Sequence, residues 1–351
     1  MSLIPSPEPV APSARRVSVT LLIVALLIAS GSAVAATAIY FELKLAAPTG
    51  VTVVDDLGRS VGAPINAARV VVLAPSVLDI VYRLGLRDRV VGVGCDPHLS
   101  GGLLNEYTPN QSALWNVSAG LCITDFPALA VEELLNRSPQ LILASTITSA
   151  AAVEELSATY HIAVVLLSPN TLEGIVNDVR LVGQLFPSVG ATTNALVAQL
   201  NLQLVAAGKF DSNLSSNGVA LPTVLVTYYY DGGGYYTFGP DSFGQSMIDV
   251  LGAVNIASSS PLVYFEMNAT AVLNASPEIV LYGTSWNDPW IVANQTPAQW
   301  QSTTGGAPYW SQLTGAKDAV DITLMTEADP SLILAIPLLL HLVHPTLVPP
   351  P

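Results

Sequence analysis

The sequence predicts an α/β protein that consists of two similar lobes joined by a long helix. The first observation is an internal echo: residues 134–143 and 272–281 both read as a helix end, a Ser-Pro turn and a buried strand. The second is the segment between them, from Asn170 to Gly208, which has helical periodicity over most of its length. The third is the alternation of strand-like and helix-like segments on both sides, which is typical of parallel sheets. Two such lobes leave a cleft between them, and a cleft is a common ligand site.

The connecting segment at 170–208 reads as a helix with one interruption. Asn170 and Glu173 have the spacing of a capping box at its start. Pro187 is expected to interrupt the helix, and Gly208 to end it. The apolar positions recur at helical spacing and are Leu172, Ile175, Val176, Val179, Val182, Leu185, Leu196, Leu200 and Leu204. The alternative is an ordinary pair of amphipathic helices inside one domain.

The N-terminal lobe is predicted to span residues 51–169 and the C-terminal lobe residues 209–351. The first lobe opens with a hairpin whose turn is the Asp/Gly-containing stretch 55–59. Its other expected strands are 69–73, 90–93, 141–144 and 162–167, and its expected helices are 77–84, 128–135 and 151–160. The second lobe repeats the plan, with strands at 223–227, 278–282 and 318–322 and helices at 242–251, 269–274 and 330–342.

The start of the chain predicts attachment to a membrane. Residues 1–16 are rich in Pro and Ser and are expected to form a disordered cytoplasmic tail, and residues 42–50 a linker. Residues 17–41 carry no charge, are long enough to span a bilayer and follow a pair of arginines, which favours an extracellular location for everything that comes after them. A cleavable signal peptide is the alternative, because the Ala-Val-Ala stretch at 33–35 resembles a cleavage site.

Composition argues against nucleic acid as a partner and agrees with an external location. The net charge is −14, and Lys44, Lys209 and Lys317 are the only lysines, whereas phosphate neutralisation needs clustered cations. The density of Asn-X-Ser/Thr triplets suggests a glycosylated surface protein. These triplets begin at Asn110, Asn116, Asn136, Asn213, Asn268, Asn274 and Asn294.

The two cysteines, Cys95 and Cys122, are predicted to form a disulfide, because paired thiols are the usual state outside the cell. Two free buried thiols are the alternative. A metal site that combines them with His98 is not expected, since neither cysteine belongs to a Cys-x-x-Cys pair. The sequence also lacks the His-Glu-x-x-His and Gly-x-Ser-x-Gly motifs, so we expect neither an enzyme nor a resident cofactor.

Several segments, taken in order, are familiar from one family. They are VTVVDDLGR at 51–59, RVVVLAPS at 69–76, LGLRDRVVGV at 84–93, the helix-strand unit at 131–144, and the segments 237–243 and 251–256. Together they resemble the substrate-binding proteins of iron-siderophore and cobalamin (vitamin B12) ABC importers. The resemblance implies a class III-type periplasmic binding protein fold, with two Rossmann-like lobes and a rigid connector helix, here preceded by one N-terminal transmembrane helix. It also implies partners, namely an ABC permease, its ATPase and a metal-chelate small molecule.

The family resemblance also carries a docking expectation. Its members use one acidic residue on each lobe to dock arginines of the permease, and Glu132 matches the position on the first lobe. The matching position on the second lobe is Thr270, which is not an acid. Glu266, expected one helical turn earlier, is the candidate substitute. This departure puts two-point docking in doubt.

Aromatic residues concentrate where the family has its ligand cleft, and rigid aromatic faces suit a large flat ligand. We expect about half of the tyrosines near residues 228–236 to lie in the core instead. The candidate ligand-binding residues are Ser76, Asp96, His98, Trp115, Tyr229, Tyr230, Tyr236, Trp286 and Trp290. The scarcity of cations favours a corrinoid or another largely neutral ligand over an anionic siderophore. The alternative function is a surface glycoprotein that kept the fold but lost transport.

Overall fold

The computed structural model of the protein describes residues 50–95, 119–125, 128–227, 229–230, 234–284, 312–321, 324 and 327–351. The predicted cytoplasmic tail, membrane span and nearly all of the linker lie outside these ranges. Among the described residues, no helix has both the length and the apolar character needed to cross a bilayer. Gly50–Pro351 forms one compact unit.

The first lobe is built on a five-stranded parallel sheet. An antiparallel hairpin of β1 (Gly50–Val54) and β2 (Ser60–Pro64) precedes it. The sheet consists of β3 (Val70–Val72), β4 (Val90–Cys95), β5 (Cys122–Thr124), β6 (Leu141–Ala144) and β7 (Ala163–Leu166), in the spatial order β5-β4-β3-β6-β7. The connecting helices are α1 (Pro75–Arg83), α2 (Val131–Asn136) and α3 (Ala150–Glu154), which continues into a π-helical turn, Glu155–Thr159. The predicted hairpin, strands and helices are all present, whereas the short strand β5 was not predicted.

Two helices join the lobes, and the second runs farther than predicted. They are α4 (Leu172–Leu185) and α5 (Gly190–Ser216), separated by one 3₁₀ turn, Pro187–Val189. Pro187 interrupts the helix as predicted, because its nitrogen has no hydrogen to donate. Gly208 does not end it: the buried face continues on both sides of this glycine, so the connector ends at Ser216 rather than at the predicted boundary.

The start of the connector also differs from the predicted capping box. Thr171, not Asn170, is the N-cap of α4, and its Oγ1 accepts a hydrogen bond from the backbone N–H of Gly174 at 3.0 Å. Asn170 is exposed and lies just outside the helix. Because Thr and Asn cap helices in the same way, a sequence with both in succession does not reveal which of them does so.

The second lobe contains a parallel sheet and a smaller antiparallel one. The parallel sheet consists of β8 (Thr223–Thr227), β11 (Val254–Asn255), β13 (Ile279–Thr284) and β14 (Ala316–Asp321), in the order β11-β8-β13-β14. The antiparallel sheet consists of β9 (Tyr229–Tyr230), β10 (Gly234–Phe238) and β12 (Tyr264–Asn268), in the order β12-β10-β9. Helices α6 (Phe243–Val250) and α7 (Ala269–Ala275) follow β10 and β12. The antiparallel sheet was not predicted.

The sequence echo has a direct counterpart in backbone and side-chain structure. Ser138 and Ser276, at equivalent positions, both adopt left-handed backbone with φ of 47° and 48°. Two residues later, the Gln140 side chain accepts a hydrogen bond from the N–H of Ala68 at 2.6 Å, and the Glu278 side chain accepts one from the N–H of Thr223 at 2.8 Å. Each lobe therefore holds the start of its central strand with the same device, which confirms the internal repeat.

The last two described helices pack on the connector, and the first of them also packs on the first lobe. They are α8 (Pro330–Leu334) and α9 (Ile336–Val343), where the sequence predicts one helix. Helix α8 packs against α1, α4 and α5, and α9 packs against α5. Their buried residues, including Leu332 and Ile336, share one apolar core with Leu78 of α1 and Val179 of α4. The predicted assignment of residues 209–351 to a single lobe therefore differs from the packing.

Candidate ligand-binding cleft

Both parallel sheets end in polar residues at their carboxyl edges. Ser76 follows β3 in the first turn of α1, and Thr146 and Ser168 follow β6 and β7, with their Oγ atoms 2.7 Å apart. Glu327 follows β14 in the second lobe. Loops beyond the carboxyl ends of parallel strands are the usual ligand position in α/β proteins. We call the space between these two edges the cleft.

A hydrogen bond links the edge of the first lobe to the segment between β14 and α8. The backbone N–H of Ser76 donates to Oε2 of Glu327 at 3.1 Å, although the two residues are 251 positions apart. A second bond ties the connector to the second lobe, from the backbone N–H of Leu172 in α4 to Oγ of Ser246 in α6 at 3.3 Å. The first bond therefore joins helix α1 to the segment before α8, and the second joins the connector to the second lobe.

A buried polar network lies behind the Ser76–Glu327 contact. The Arg83 guanidinium lies 2.7 Å from the fully buried Asp79 carboxylate and donates to Oγ of Ser331 at 2.8 Å. Asp329 caps α8 by accepting from the N–H of Leu332 at 3.2 Å. Burial, followed by the nearby charges of Asp79 and Glu327, raises the pKa of Asp329 well above its usual range. The network anchors the segment before α8 to helix α1.

Three aromatic residues of the second lobe pack together, and we call them the aromatic trio. Phe238 and Phe243 are buried with ring centroids 5.5 Å apart, and the ring of Tyr264 lies 5.8 Å from that of Phe238. Tyr264 is half exposed, and burial together with the charge of Glu327 raises the pKa of its hydroxyl. The trio therefore presents one exposed aromatic face close to the Glu327 carboxylate.

Tyr236, a predicted ligand-binding residue, differs in burial from its neighbour Tyr235. Tyr235 is fully buried, whereas Tyr236 is only partly buried, because neighbours along a strand point to opposite faces of a sheet. The backbones of Tyr229 and Tyr230 form β9. In the pairing with β10, Tyr229 lies opposite Tyr236 and Tyr230 lies opposite Tyr235. The other candidates, Asp96, His98, Trp115, Trp286 and Trp290, lie outside the described residues and follow β4 or β13 in the chain.

No described lysine or arginine lies at the carboxyl edges. All nine of those after residue 49 fall in the described part of the chain, so the segments left undescribed beyond that residue contain none. Arg59 and Arg83 pair with Asp55 and Asp79 of their own elements. The remaining seven lie on the connector or near the starts of strands, away from the carboxyl edges. They are Arg69, Arg87, Arg89, Arg137, Arg180, Lys209 and Lys317.

An acid pair joins the hairpin to the connector. Asp56, in the turn between β1 and β2, accepts a hydrogen bond from the N–H of Ser168 at 2.5 Å and another from the Asp178 carboxyl of α4. Asp178 is 1% exposed, and its Oδ1 has no hydrogen-bond partner in the described part of the chain. Burial, followed by the charge of Asp56, raises the pKa of Asp178 to about 9. Asp178 therefore carries the shared proton at neutral pH.

The cysteines lie on neighbouring strands. Cys122 begins β5, which pairs with the end of β4, where Cys95 is the last residue. Cys122 is disulfide-bonded, and Cys95 is the one other cysteine in the sequence. A disulfide that closes a loop of this size stabilises a fold by about 3 kcal/mol.

Comparison with known proteins decides the family. The model of the periplasmic binding protein family matches residues 70–299, which covers most of both lobes and the whole connector. The chain belongs to the periplasmic binding protein family. Family members are transport components rather than enzymes, in agreement with the missing catalytic motifs. Among the described residues of this binding protein, no three His, Cys, Asp or Glu side chains are grouped to hold a metal ion.

Known relatives of this binding protein differ in their ligands. A cobalamin-binding protein of Halobacterium salinarum is 27% identical over 220 residues, covering 62% of this chain and 54% of the relative. The chain thus spans about half the length of that relative. A heme-binding protein of Pseudomonas aeruginosa (TM-score 0.63, 19% identity) covers 80% of this chain and 94% of its own. A molybdate-bound protein of a Haemophilus influenzae ABC transporter (TM-score 0.66, 18% identity) covers 84% of this chain and 91% of its own. These two likenesses show the fold alone.

The candidate docking acids lie on different kinds of element in this binding protein. Glu132 is exposed in the first turn of α2, and Thr270 is exposed at the equivalent place in α7. Glu266 lies on strand β12, opposite Tyr236 of β10. The expectation that it lies one helical turn before Thr270 was wrong, because α7 begins only at Ala269.

Sequence reasoning missed three residues of this region. Glu327 was not singled out, because its partner Ser76 lies 251 positions away. Tyr264 was missed because β12 was not predicted. Asp178 gave a usable signal, an acid between the apolar positions Val176 and Val179 of a predicted helix face.

Proposed function

We propose that the protein is an extracellular solute-binding protein that delivers a corrinoid or an iron chelate to an ABC import permease and its ATPase. The observation that carries this proposal is a periplasmic binding protein fold whose sheet edges meet beside an aromatic trio and carry no described cation. The chain binds and docks, and the ATPase supplies the energy of transport.

The proposed ligand class follows from shape and charge. Aromatic faces bury a large flat ligand at low entropic cost. Polyanions usually call for Arg or Lys at the site, and the described cleft edges lack both. The cobalamin-binding relative agrees with a corrinoid, whereas the heme- and molybdate-binding relatives show that the fold admits other ligands.

A tryptophan-fluorescence titration, checked by calorimetry, tests this function. With cyanocobalamin, heme and ferric hydroxamates as probes, we expect saturable binding of one class at about micromolar Kd or tighter. Tyr236→Ala should weaken that binding about ten-fold through the loss of stacking area, and Trp115→Ala should do the same. Tyr160→Ala is the matched control, because this exposed tyrosine lies at the far end of β7. Absence of binding across the panel would contradict the proposal.

Docking gives a second prediction. Glu132→Arg should weaken binding of the loaded protein to its permease in lipid nanodiscs by about ten-fold, since it replaces attraction with repulsion. Thr270→Glu should strengthen binding by supplying the second acid, and a helix N-terminus accepts that charge. Glu154→Arg, on exposed α3, is the control. Equal affinities for Glu132→Arg and Glu154→Arg would contradict this docking site.

The threonine at position 270, where the family has an acid, favours a second candidate function. A surface glycoprotein that kept the fold but no longer docks would not need an acid at that position. Permease binding that neither Glu132→Arg nor Thr270→Glu changes, combined with no ligand binding, would support this alternative.

A further inference from the structure

We propose that Asn268 is an N-glycan acceptor site, and that its glycan covers the position at which the family resemblance places the second docking acid. The extracellular location and the docking part of this inference rest on the proposed function. The site itself rests on one Asn-X-Thr triplet at residues 268–270, where helix α7 begins.

Asn-X-Ser/Thr triplets are more frequent in this chain than its composition explains. Seven of the sixteen asparagines begin one that has no proline in the middle. Serine and threonine fill 54 of the 351 positions, so chance would give about two or three such triplets. Such a triplet marks an acceptor for N-linked sugar when it lies on the surface of an exported protein. The structure describes four of the seven, which begin at Asn136, Asn213, Asn268 and Asn274.

Three of these four triplets are poorly arranged for a transferase that recognises the asparagine and the hydroxyl residue together. The triplet at 213–215 lies inside helix α5, where residues two positions apart do not face each other. In the triplets at 136–138 and 274–276, the serine has left-handed backbone and a buried proline follows it. The hydroxyl of Ser276 also donates to the carbonyl oxygen of Leu273 at 2.9 Å.

The triplet at Asn268 is arranged as an exposed turn. Asn268 is the N-cap of α7, and its Oδ1 accepts a hydrogen bond from the backbone N–H of Thr270 at 2.9 Å. This bond places the Asn268 carboxamide beside the backbone of Thr270, and both residues are exposed. Ala269 between them is buried in the core of the second lobe, which anchors the turn. The cap uses only the carboxamide oxygen, so Nδ2, the atom that would bond the sugar, is not part of it.

The modification would be a transfer from a lipid-linked sugar phosphate at the outer face of the membrane. Nδ2 of Asn268 forms a bond to C1 of the first sugar, while the bond between C1 and the phosphate oxygen breaks. The lipid phosphate leaves with the electron pair of that bond, and one amide proton passes to a base of the transferase. The chain supplies only the acceptor, and no oxidant or reductant takes part.

A glycan on Asn268 would stand over the first turn of α7. Thr270 is the second residue of this helix, as Glu132 is the second residue of α2 in the first lobe. Because a glycan is bulky and hydrated, it would keep a permease surface away from this position. An acid at position 270 would then contribute nothing to docking. The missing acid and the triplet that contains Thr270 therefore have one explanation, and docking is left to Glu132.

Glycopeptide mass spectrometry of the full chain, isolated from the cells that produce it naturally, tests the acceptor site. We expect a glycan on Asn268 in wild type and in Thr270→Ser, which keeps the triplet. It should be absent from Thr270→Val, which removes the hydroxyl, and from Asn268→Asp, which removes Nδ2 but caps a helix as well as asparagine does. An unmodified Asn268 in wild type, which needs no variant to fold, would overturn the inference. Modification of Asn268 that persists in Thr270→Val would also overturn it.

Permease binding in lipid nanodiscs tests whether the glycan covers the docking position. Thr270→Val should bind the permease about ten-fold more tightly than glycosylated wild type, because a steric obstacle is gone. Asn213→Gln, which removes a triplet on the connector, is the control and should bind as wild type does. Thr270→Glu also lacks the triplet, so Thr270→Val shows how much of its gain comes from the lost glycan. Equal affinities for wild type and Thr270→Val would overturn the covering role of the glycan.

The glycan measurement involves neither ligand nor permease, so its failure can be told apart from failure of the proposed function. An unmodified Asn268 would overturn the acceptor site and leave the transport function intact. Failure of every form to bind a ligand or the permease would overturn the transport function and leave the acceptor site intact.

Discussion

Replacing Asp178 with Asn should raise the free energy of unfolding by several kcal/mol at pH 8 and leave it nearly unchanged at pH 4. The folded chain keeps a proton on Asp178 up to about pH 9, because its pKa is raised to that value, whereas the unfolded chain releases it near the ordinary value of 3.8. Between these values the folded state binds the extra proton, so the contribution of Asp178 to the stability of wild type falls as pH rises. For one such group, the free energy of unfolding changes by at most about 1.4 kcal/mol per pH unit.

The side-chain amide introduced at this position can donate to Asp56 as the protonated acid does, so the variant keeps the hydrogen bond and loses the titration. Urea unfolding followed by circular dichroism at several pH values measures the difference. Asp249→Asn, on the surface of α6, is the control and should leave the slope with pH unchanged. If Asp178→Asn has the same pH slope as wild type, Asp178 does not hold the shared proton.

Replacing Arg83 with Met should lower the free energy of unfolding by about 3–5 kcal/mol at pH 7, because it leaves the fully buried Asp79 carboxylate without its partner. The Ser331 hydroxyl also loses the donor from Arg83. Burial already raises the pKa of Asp79, and Arg83 opposes this shift. Protonation of Asp79 removes its buried charge. The loss of unfolding free energy in Arg83→Met should therefore be smaller in acid.

The same unfolding experiment with the double variant Asp79→Asn/Arg83→Met separates the two effects. It should recover part of the loss, because no buried charge remains at this pair without a counterion. Arg180→Met is the control, since Arg180 is an exposed arginine bonded to Asn177 of its own helix. A loss for Arg83→Met no greater than that for Arg180→Met would contradict a structural role of the buried pair.

Local patterns predicted most of the fold. The repeat could be recognised because the Ser-Pro turn and the strand after it are contiguous, and the structure repeats even the backbone angle of Ser138 at Ser276. The connector could be recognised because its apolar spacing persists through two helices. The prediction that Gly208 ends the connector was wrong, because the burial of helix residues on both sides of it outweighs the modest cost of one glycine in a helix.

The antiparallel sheet could not be predicted in the same way. The tyrosine-rich stretch that becomes β9 and β10 follows β8 directly, and its composition also suits a continuation of β8. Its third strand, β12, has no fully buried residue, so its hydrophobic signal is weak. The short strand β5 is held largely by pairing with β4.

The candidate site depended most on distant contacts. Ser76 was named as a ligand-binding candidate, but its partner Glu327 lies 251 positions farther along the chain. Asp178 stands out in the sequence as an acid on an apolar helix face, but its partner Asp56 does not, and their shared proton arises only when the hairpin packs on α4. Contacts of this range follow from the assembled topology rather than from any one stretch of sequence.

Helices α8 and α9 leave the ribosome after every other described element, yet α8 packs on α1 from near the start of the globular part. The part of α1 that α8 covers therefore stays uncovered until both lobes have been synthesised. A nascent chain of this kind remains incompletely folded during most of its synthesis. Termination before residue 330 should leave a first lobe that aggregates rather than a smaller working domain.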